Sequence, residues 1–101
     1  MASNIKIKKI NKEISSIIID EPKTYNSLSF KNLNDLLRLF KKLDADKKVK
    51  VIIIEGSGKG FSAGHNLKEV KSLKKQNKYQ KLFNLCSKVM LQIVEGRKPV
   101  I

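Results

Sequence analysis

The sequence predicts an α/β fold with about four strands and two to three helices. Two alternating hydrophobic periods carry that expectation. Short runs rich in Ile and Val read as strands, and longer stretches with apolar residues three and four apart read as helices. A third observation is a glycine-rich stretch directly after the most apolar run, a strand-to-helix connection of the kind that often binds anions. With 101 residues, 41% hydrophobic and 31% charged, the chain has the make-up of one small folded domain.

Ile5 and Ile7, with Ile10 beyond them, alternate with Lys6 and Lys8, the period-2 pattern of a strand with one buried face. Asn11-Lys12 is a turn, and Ile14 with Ile17-Ile18-Ile19 forms the returning strand of a hairpin. Pro22 ends it, since it cannot donate to a ladder. Ser29 is a suitable N-cap for a helix whose stripe is Leu33, Leu36, Leu37, Phe40 and Leu43, with Lys31, Asp35, Arg38 and Lys42 outside it. That helix should end near Asp44-Ala45-Asp46. Val49 and Val51 to Ile54 then form a near-continuous apolar strand, as for a strand covered on both faces.

The loop from Gly56 to His65 follows. Asn66 with Glu69 has the form of a capping box, so a short helix should start there. Ser72 to Asn77 is Lys-rich and is expected to be exposed and mobile. A last helix is expected from about Tyr79 to Val94, with Leu82, Phe83, Cys86, Val89, Met90 and Ile93 inward and Gly96 as its stop. Lys98-Pro99-Val100-Ile101 reads as the first residues of another buried strand.

The formal charge is +13, from 22 Lys and Arg against 9 Asp and Glu. Such a chain attracts anions, whether nucleic acid, anionic lipid or a phosphorylated small molecule. Arg38 and Arg97 are its only arginines and aromatic residues are few, which argues against a nucleic-acid partner read by Arg forks and stacking. The Lys, Ile and Asn enrichment also suits AT-rich coding. A basic nucleic-acid- or anion-binding module without catalysis stands as the alternative to an enzyme. Cys86 is the single cysteine, so no internal disulfide forms, and a reducing, cytoplasmic setting is expected. No stretch approaches the ~18 apolar residues of a membrane span, so no membrane partner is expected. The one His and one Cys make no metal site of the usual ligand count, and Cys86 on an apolar helix face reads as core packing.

Three readings compete for Gly56 to Glu69. Gly58-Lys59-Gly60-Phe61-Ser62-Ala63 matches G-x-G-x-x-A, but a dinucleotide site also wants an acidic residue about 20 positions on, after a second strand. Here that region is Lys74-Lys75-Gln76-Asn77-Lys78. A connection without a ligand is the second reading. The third rests on Phe61-Ser62-Ala63-Gly64-His65-Asn66-Leu67-Lys68-Glu69, which resembles the F-x-x-G-x-D-(aliphatic) loop of the crotonase superfamily, the enoyl-CoA hydratase/isomerase family. Glu21-Pro22-Lys23-Thr24-Tyr25-Asn26-Ser27-Leu28-Ser29 is similar to that family's R-P-x-x-x-N-A-L-S segment. Val51 to Gly56 resembles the strand before the oxyanion loop, and Lys98-Pro99-Val100-Ile101 resembles its K-P-(V/T)-I. With the stretch Phe83 to Met90, the chain looks like the enoyl-CoA hydratase domain-containing branch.

The resemblance implies a truncated crotonase-like ββα spiral, with residues 1–101 as the N-terminal part of a single domain. It implies an acyl-CoA or enoyl-CoA thioester as partner, with its carbonyl oxygen held between two backbone N–H donors. The first donor maps to the backbone N–H of His65. CoA contacts map to Ala63, Gly64, Asn66, Leu67 and Lys68, with Lys23 and Tyr25 near the CoA entrance. No separate cofactor is implied, because CoA is part of the substrate. The second donor and the catalytic carboxylates belong to family segments that follow K-P-(V/T)-I, so this chain is expected to hold half an oxyanion hole. Of its own carboxylates, Glu69 reads as a cap, and Glu55 and Asp20 form no acid/base pair. A decarboxylase or hydrolase of the same superfamily, with the His65 imidazole as a proton donor, is a further alternative. For full-length relatives the resemblance implies trimers or hexamers, and it leaves the oligomer of this chain open.

Overall fold

The computed structural model describes residues 4–58, 60–62, 64 and 76–101. Strand β1 (Ile5–Lys9) pairs antiparallel with β2 (Ile14–Ile19), in a register that sets Ile5 opposite Ile19 and Ile7 opposite Ile17. Asn11 fixes the turn between them. Its side-chain oxygen accepts from the backbone N–H of Glu13 at 2.8 Å and of Ile14 at 3.0 Å, an Asx arrangement that replaces missing ladder bonds.

Strand β3 (Val51–Gly56) runs parallel to β2, with Ile54 beside Ile17 and Ile52 beside Ser15, so the order is β1-β2-β3. A parallel neighbour requires a crossover, and helix α1 (Phe30–Ala45) supplies it. The Ser29 Oγ accepts from the Asn32 backbone N–H at 3.1 Å, the expected N-cap. At the other end of α1 the Lys98 ammonium donates to the carbonyls of Leu43, at 2.6 Å, and of Asp46. A cation placed there suits the negative end of the helix dipole.

The core lies between α1 and the sheet. Leu33, Leu36, Leu39, Phe40 and Leu43 pack with Ile5, Ile17, Ile19 and Ile52. Leu39 is fully part of it, whereas Leu37 is only half-buried and turns toward helix α2 (Gln76–Glu95). Helix α2 packs on α1 through Leu82 and Val89, with Leu85, Cys86 and Ile93 beside them.

Two expectations need correction here. Phe83 and Met90 are about half exposed rather than inward. They follow Leu82 and Val89 by one residue, and one residue rotates a side chain ~100° around a helix, off the contact face. Helix α2 also begins at Gln76, so the backbone of Gln76 and Asn77 belongs to it and not to a mobile stretch. Gln and Lys are good helix formers, and polarity alone does not mark a loop. Residues 72–75 and the expected capped helix at Asn66 lie outside the described residues.

The last residues do pair as a strand would. The Ile52 N–H donates to Pro99 O at 3.0 Å, the Ile101 N–H to Ile52 O at 2.9 Å, and the Ile54 N–H to Ile101 O at 2.9 Å. Pro99 is tolerated because only its carbonyl is needed. The expected burial is not met, since Ile101 is 74% exposed and Val100 half-buried. Among the described residues no helix is long and apolar enough to cross a membrane.

Candidate functional site

The parallel pairing of β2 and β3 brings the two segments that leave their C-terminal ends side by side. One is the turn from Asp20 to Ser29, with a single 3₁₀ turn at Pro22–Thr24. The other is the glycine-rich loop after Gly56. A Cβ on Gly56 would lie 2.2 Å from the Phe61 carbonyl oxygen and 2.8 Å from Asn26 Nδ2. Only glycine lets the strand and the returning loop approach so closely.

Asn26 is fully buried and sits at φ 55°, next to Tyr25 at φ 53°. Two successive residues in the left-handed region fold the chain back, and Asn tolerates that region better than most residues do. Its Oδ1 accepts from the Glu21 backbone N–H at 2.8 Å. Its Nδ2 donates toward the carbonyls of Ser57 at 2.8 Å, Phe61 at 2.9 Å and Gly60 at 3.2 Å. The Ser62 hydroxyl donates to Asn26 O at 2.7 Å and accepts from the Gly64 N–H at 3.1 Å. Gly64, at φ 88°, returns its carbonyl to the Leu28 N–H at 2.7 Å.

A second polar cluster braces the same turn. Glu21 accepts from Asn4 Nδ2 at 2.6 Å, from the Thr24 hydroxyl, and from the Ser27 hydroxyl at 3.3 Å. Asp20 accepts from Lys6 Nζ at 2.8 Å and from the Ser57 hydroxyl at 2.8 Å. The Lys6 hydrogen bond first, then that of Ser57, hold its carboxyl below the usual carboxylate range.

A cavity of about 380 Å³ opens beside these turns, lined by Pro22, Lys23, Tyr25, Ser57, Gly58 and Gly60. Lys23 and Tyr25 therefore share one cavity with the glycine-rich loop. Gly64 lies in the fastened turn rather than on the cavity wall. Ala63, His65, Asn66, Leu67 and Lys68 lie outside the described residues. Asn26, Ser62 and Gly56 were not among the site residues expected from sequence. The signal for Asn26 was its place in the segment Glu21 to Ser29, just before the helix cap. A larger cavity, about 650 Å³, lies at the opposite end of the strands among Lys9, Lys12, Lys48 and Lys50, with Glu13 and Asp46 beside them. No glycine stands among the described residues of its wall, so the smaller cavity is the candidate site.

The enoyl-CoA hydratase/isomerase family profile matches residues 9–101. The chain is 39% identical to human enoyl-CoA hydratase domain-containing protein 3, mitochondrial, over 87% of this chain and 29% of that protein. It is also 39% identical to the probable enoyl-CoA hydratase 1, peroxisomal, of Arabidopsis thaliana, over 96% of this chain and 35% of that protein. The crystal structure of an enoyl-CoA hydratase from Mycobacterium smegmatis superimposes with a TM-score of 0.92 at 31% identity, covering 98% of this chain and 38% of that one. The chain thus spans about a third of the length of these relatives. With the family profile matching residues 9–101 and its backbone superimposing on a solved member, the chain belongs to the enoyl-CoA hydratase/isomerase family.

Proposed function

We propose that the chain binds the coenzyme A part of an acyl-CoA or enoyl-CoA thioester and contributes one donor of an oxyanion hole. The observation that supports this most is the shared cavity: the cationic Lys23 and the 69% exposed Tyr25 face a wall of Ser57, Gly58 and Gly60. A phosphate group suits the Lys23 ammonium and the open glycine backbone, and an adenine or pantetheine surface suits the Tyr25 ring. Ala63, Gly64, Asn66, Leu67 and Lys68 complete the CoA contacts in this proposal.

The backbone N–H of His65 then meets the thioester oxygen as negative charge develops there. Such a donor lowers the barrier by ~3 kcal/mol because it is already oriented when the charge forms. Hydration or isomerisation also needs a second donor and acid/base carboxylates, which we assign to other segments of the family's fold. Turnover is therefore not expected from residues 1–101 alone. We place the action in the cytoplasm, and fractionation of a tagged chain into mitochondria or peroxisomes would overturn that placement.

Calorimetry with acetyl-CoA tests the binding. Saturable heat with a Kd near or below 1 mM, about −4 kcal/mol, supports the reading. Loss of that heat in Lys23→Ala and Tyr25→Ala locates it, and no heat from the unaltered chain at several times that concentration sinks it.

A further inference from the structure

We infer that Asn26 is a positioning residue, whose buried carboxamide clamps the glycine-rich loop to the turn before α1 and so sets where Gly64 presents its backbone. The clamp is a matter of geometry, and only its purpose rests on the thioester reading above.

The residue type follows from what surrounds the side chain. One end must accept from the Glu21 N–H, and the other must donate to carbonyls of Ser57, Gly60 and Phe61. Only a carboxamide offers an acceptor at one end and two hydrogens at the other, and Asn does so with a stem short enough for this turn. Asp offers no donor at neutral pH, and Leu offers neither. Three acceptors for two hydrogens mean that one hydrogen is shared, in keeping with the longer 3.2 Å contact to Gly60. The backbone continues the clamp, since Asn26 O takes the Ser62 hydroxyl, which in turn holds the Gly64 N–H. None of these bonds ends on the apolar core. Their loss should free the loop and leave the sheet intact.

Two variants separate positioning from general support of the fold. Asn26→Gly keeps the left-handed backbone without strain and removes only the carboxamide. Asn26→Asp keeps the acceptor for Glu21 but turns an oxygen toward the three carbonyls, with the carboxylates of Asp20 and Glu21 nearby. The measurement is amide exchange, expressed as protection relative to the unfolded chain. In both variants the Leu28 and Gly64 amides should lose about 10-fold or more in protection while β2 amides change less than about 3-fold. Lowering the pH protonates the buried carboxylate that Asn26→Asp introduces and returns one donor. Protection should then recover in Asn26→Asp and not in Asn26→Gly, a pH difference that a merely space-filling role does not produce.

Unchanged Leu28 and Gly64 protection would overturn the inference. So would an equal loss across β2, or global unfolding of both variants, since Asn26 would then be a determinant of the fold as a whole. Acetyl-CoA binding is measured alongside. A loop freed in the variants, with no acetyl-CoA heat from the unaltered chain, leaves the clamp standing and removes the proposed function instead.

Discussion

The two ends of the β2–β3 pair differ in kind. At the end where Gly56 leaves the sheet, backbone carbonyls are tied down by the buried Asn26 side chain, and the adjoining cavity measures about 380 Å³. At the end where Lys50 enters, the cavity is larger, about 650 Å³, but its lysines are solvated and its polar contacts include ordinary turn bonds such as the Lys48 N–H donating to Asp46 Oδ1 at 2.9 Å. The comparison sets volume against preorganisation. The proposed site takes the smaller cavity, because a loop held by several hydrogen bonds presents its backbone groups without paying ordering entropy when a ligand arrives.

The most disruptive test of that contrast is Gly56→Val. The new side chain would enter space held by the Phe61 carbonyl and the Asn26 amide, and the strand cannot retreat without breaking the pairing of Gly56 with Ile19. We expect a loss of about 3 kcal/mol or more in chemical denaturation, with the clamp opened. A loss under about 1 kcal/mol would mean that the loop end is soft after all. Ser62→Ala comes next. It removes the donor to Asn26 O and the acceptor for the Gly64 N–H, which should cost about 1–2 kcal/mol. The change should be visible at Leu28 and Gly64 in exchange and absent from β3.

How much of this was legible in the sequence depends on whether the determinant is local. The hairpin was readable because Ile5, Ile7, Ile17 and Ile19 alternate correctly and Asn11 carries its own turn chemistry. Ser29 announced α1 for the same reason. Periodicity could not choose between Leu82 and Phe83, or Val89 and Met90, since both pairs keep the same spacing. Only the packing of α2 against α1 decided which member faces inward. Lys23 and Tyr25 were singled out through a family resemblance that covers the turn as a whole, and the structure sets both on the wall of one cavity. Asn26 was not singled out, because the carbonyls its Nδ2 reaches lie 31 to 35 positions away and nothing local in the sequence shows that three of them converge on one amide.

Acid tests the loop end more gently. Asp20 has its carboxyl lowered from the ordinary 3.8, first by its hydrogen bond from Lys6. A carboxylate that is more acidic in the folded chain contributes stability above the unfolded value and loses it as pH falls through the folded one. Denaturation midpoints should therefore fall as the pH drops below about 4, and Asp20→Asn should flatten that part of the profile. The change should be small, because the Lys6–Asp20 pair is largely solvated, with side chains 61% and 34% exposed. A profile identical in the variant would assign the acid response to other carboxylates.

The smallest expected effect lies at the other end, where Lys48→Ala with Lys50→Ala should change stability by less than about 0.5 kcal/mol, since exposed side chains are removed and the Lys50 N–H to Glu13 O bond remains. Acetyl-CoA affinity should also hold. Six strand residues, Val51–Gly56, at ~3.3 Å each separate the lysines from the glycine-rich loop by roughly 20 Å. At 0.15 M salt the screening length is ~8 Å, so charges at that distance do little for a bound phosphate. The pair removes two of the net +13 charges, which at low salt would slow the approach of any anion wherever it binds. The measurement therefore belongs at physiological ionic strength. A tenfold loss of affinity there, with Lys23→Ala without effect, would move the anion site to the larger cavity and reverse the comparison between the two ends.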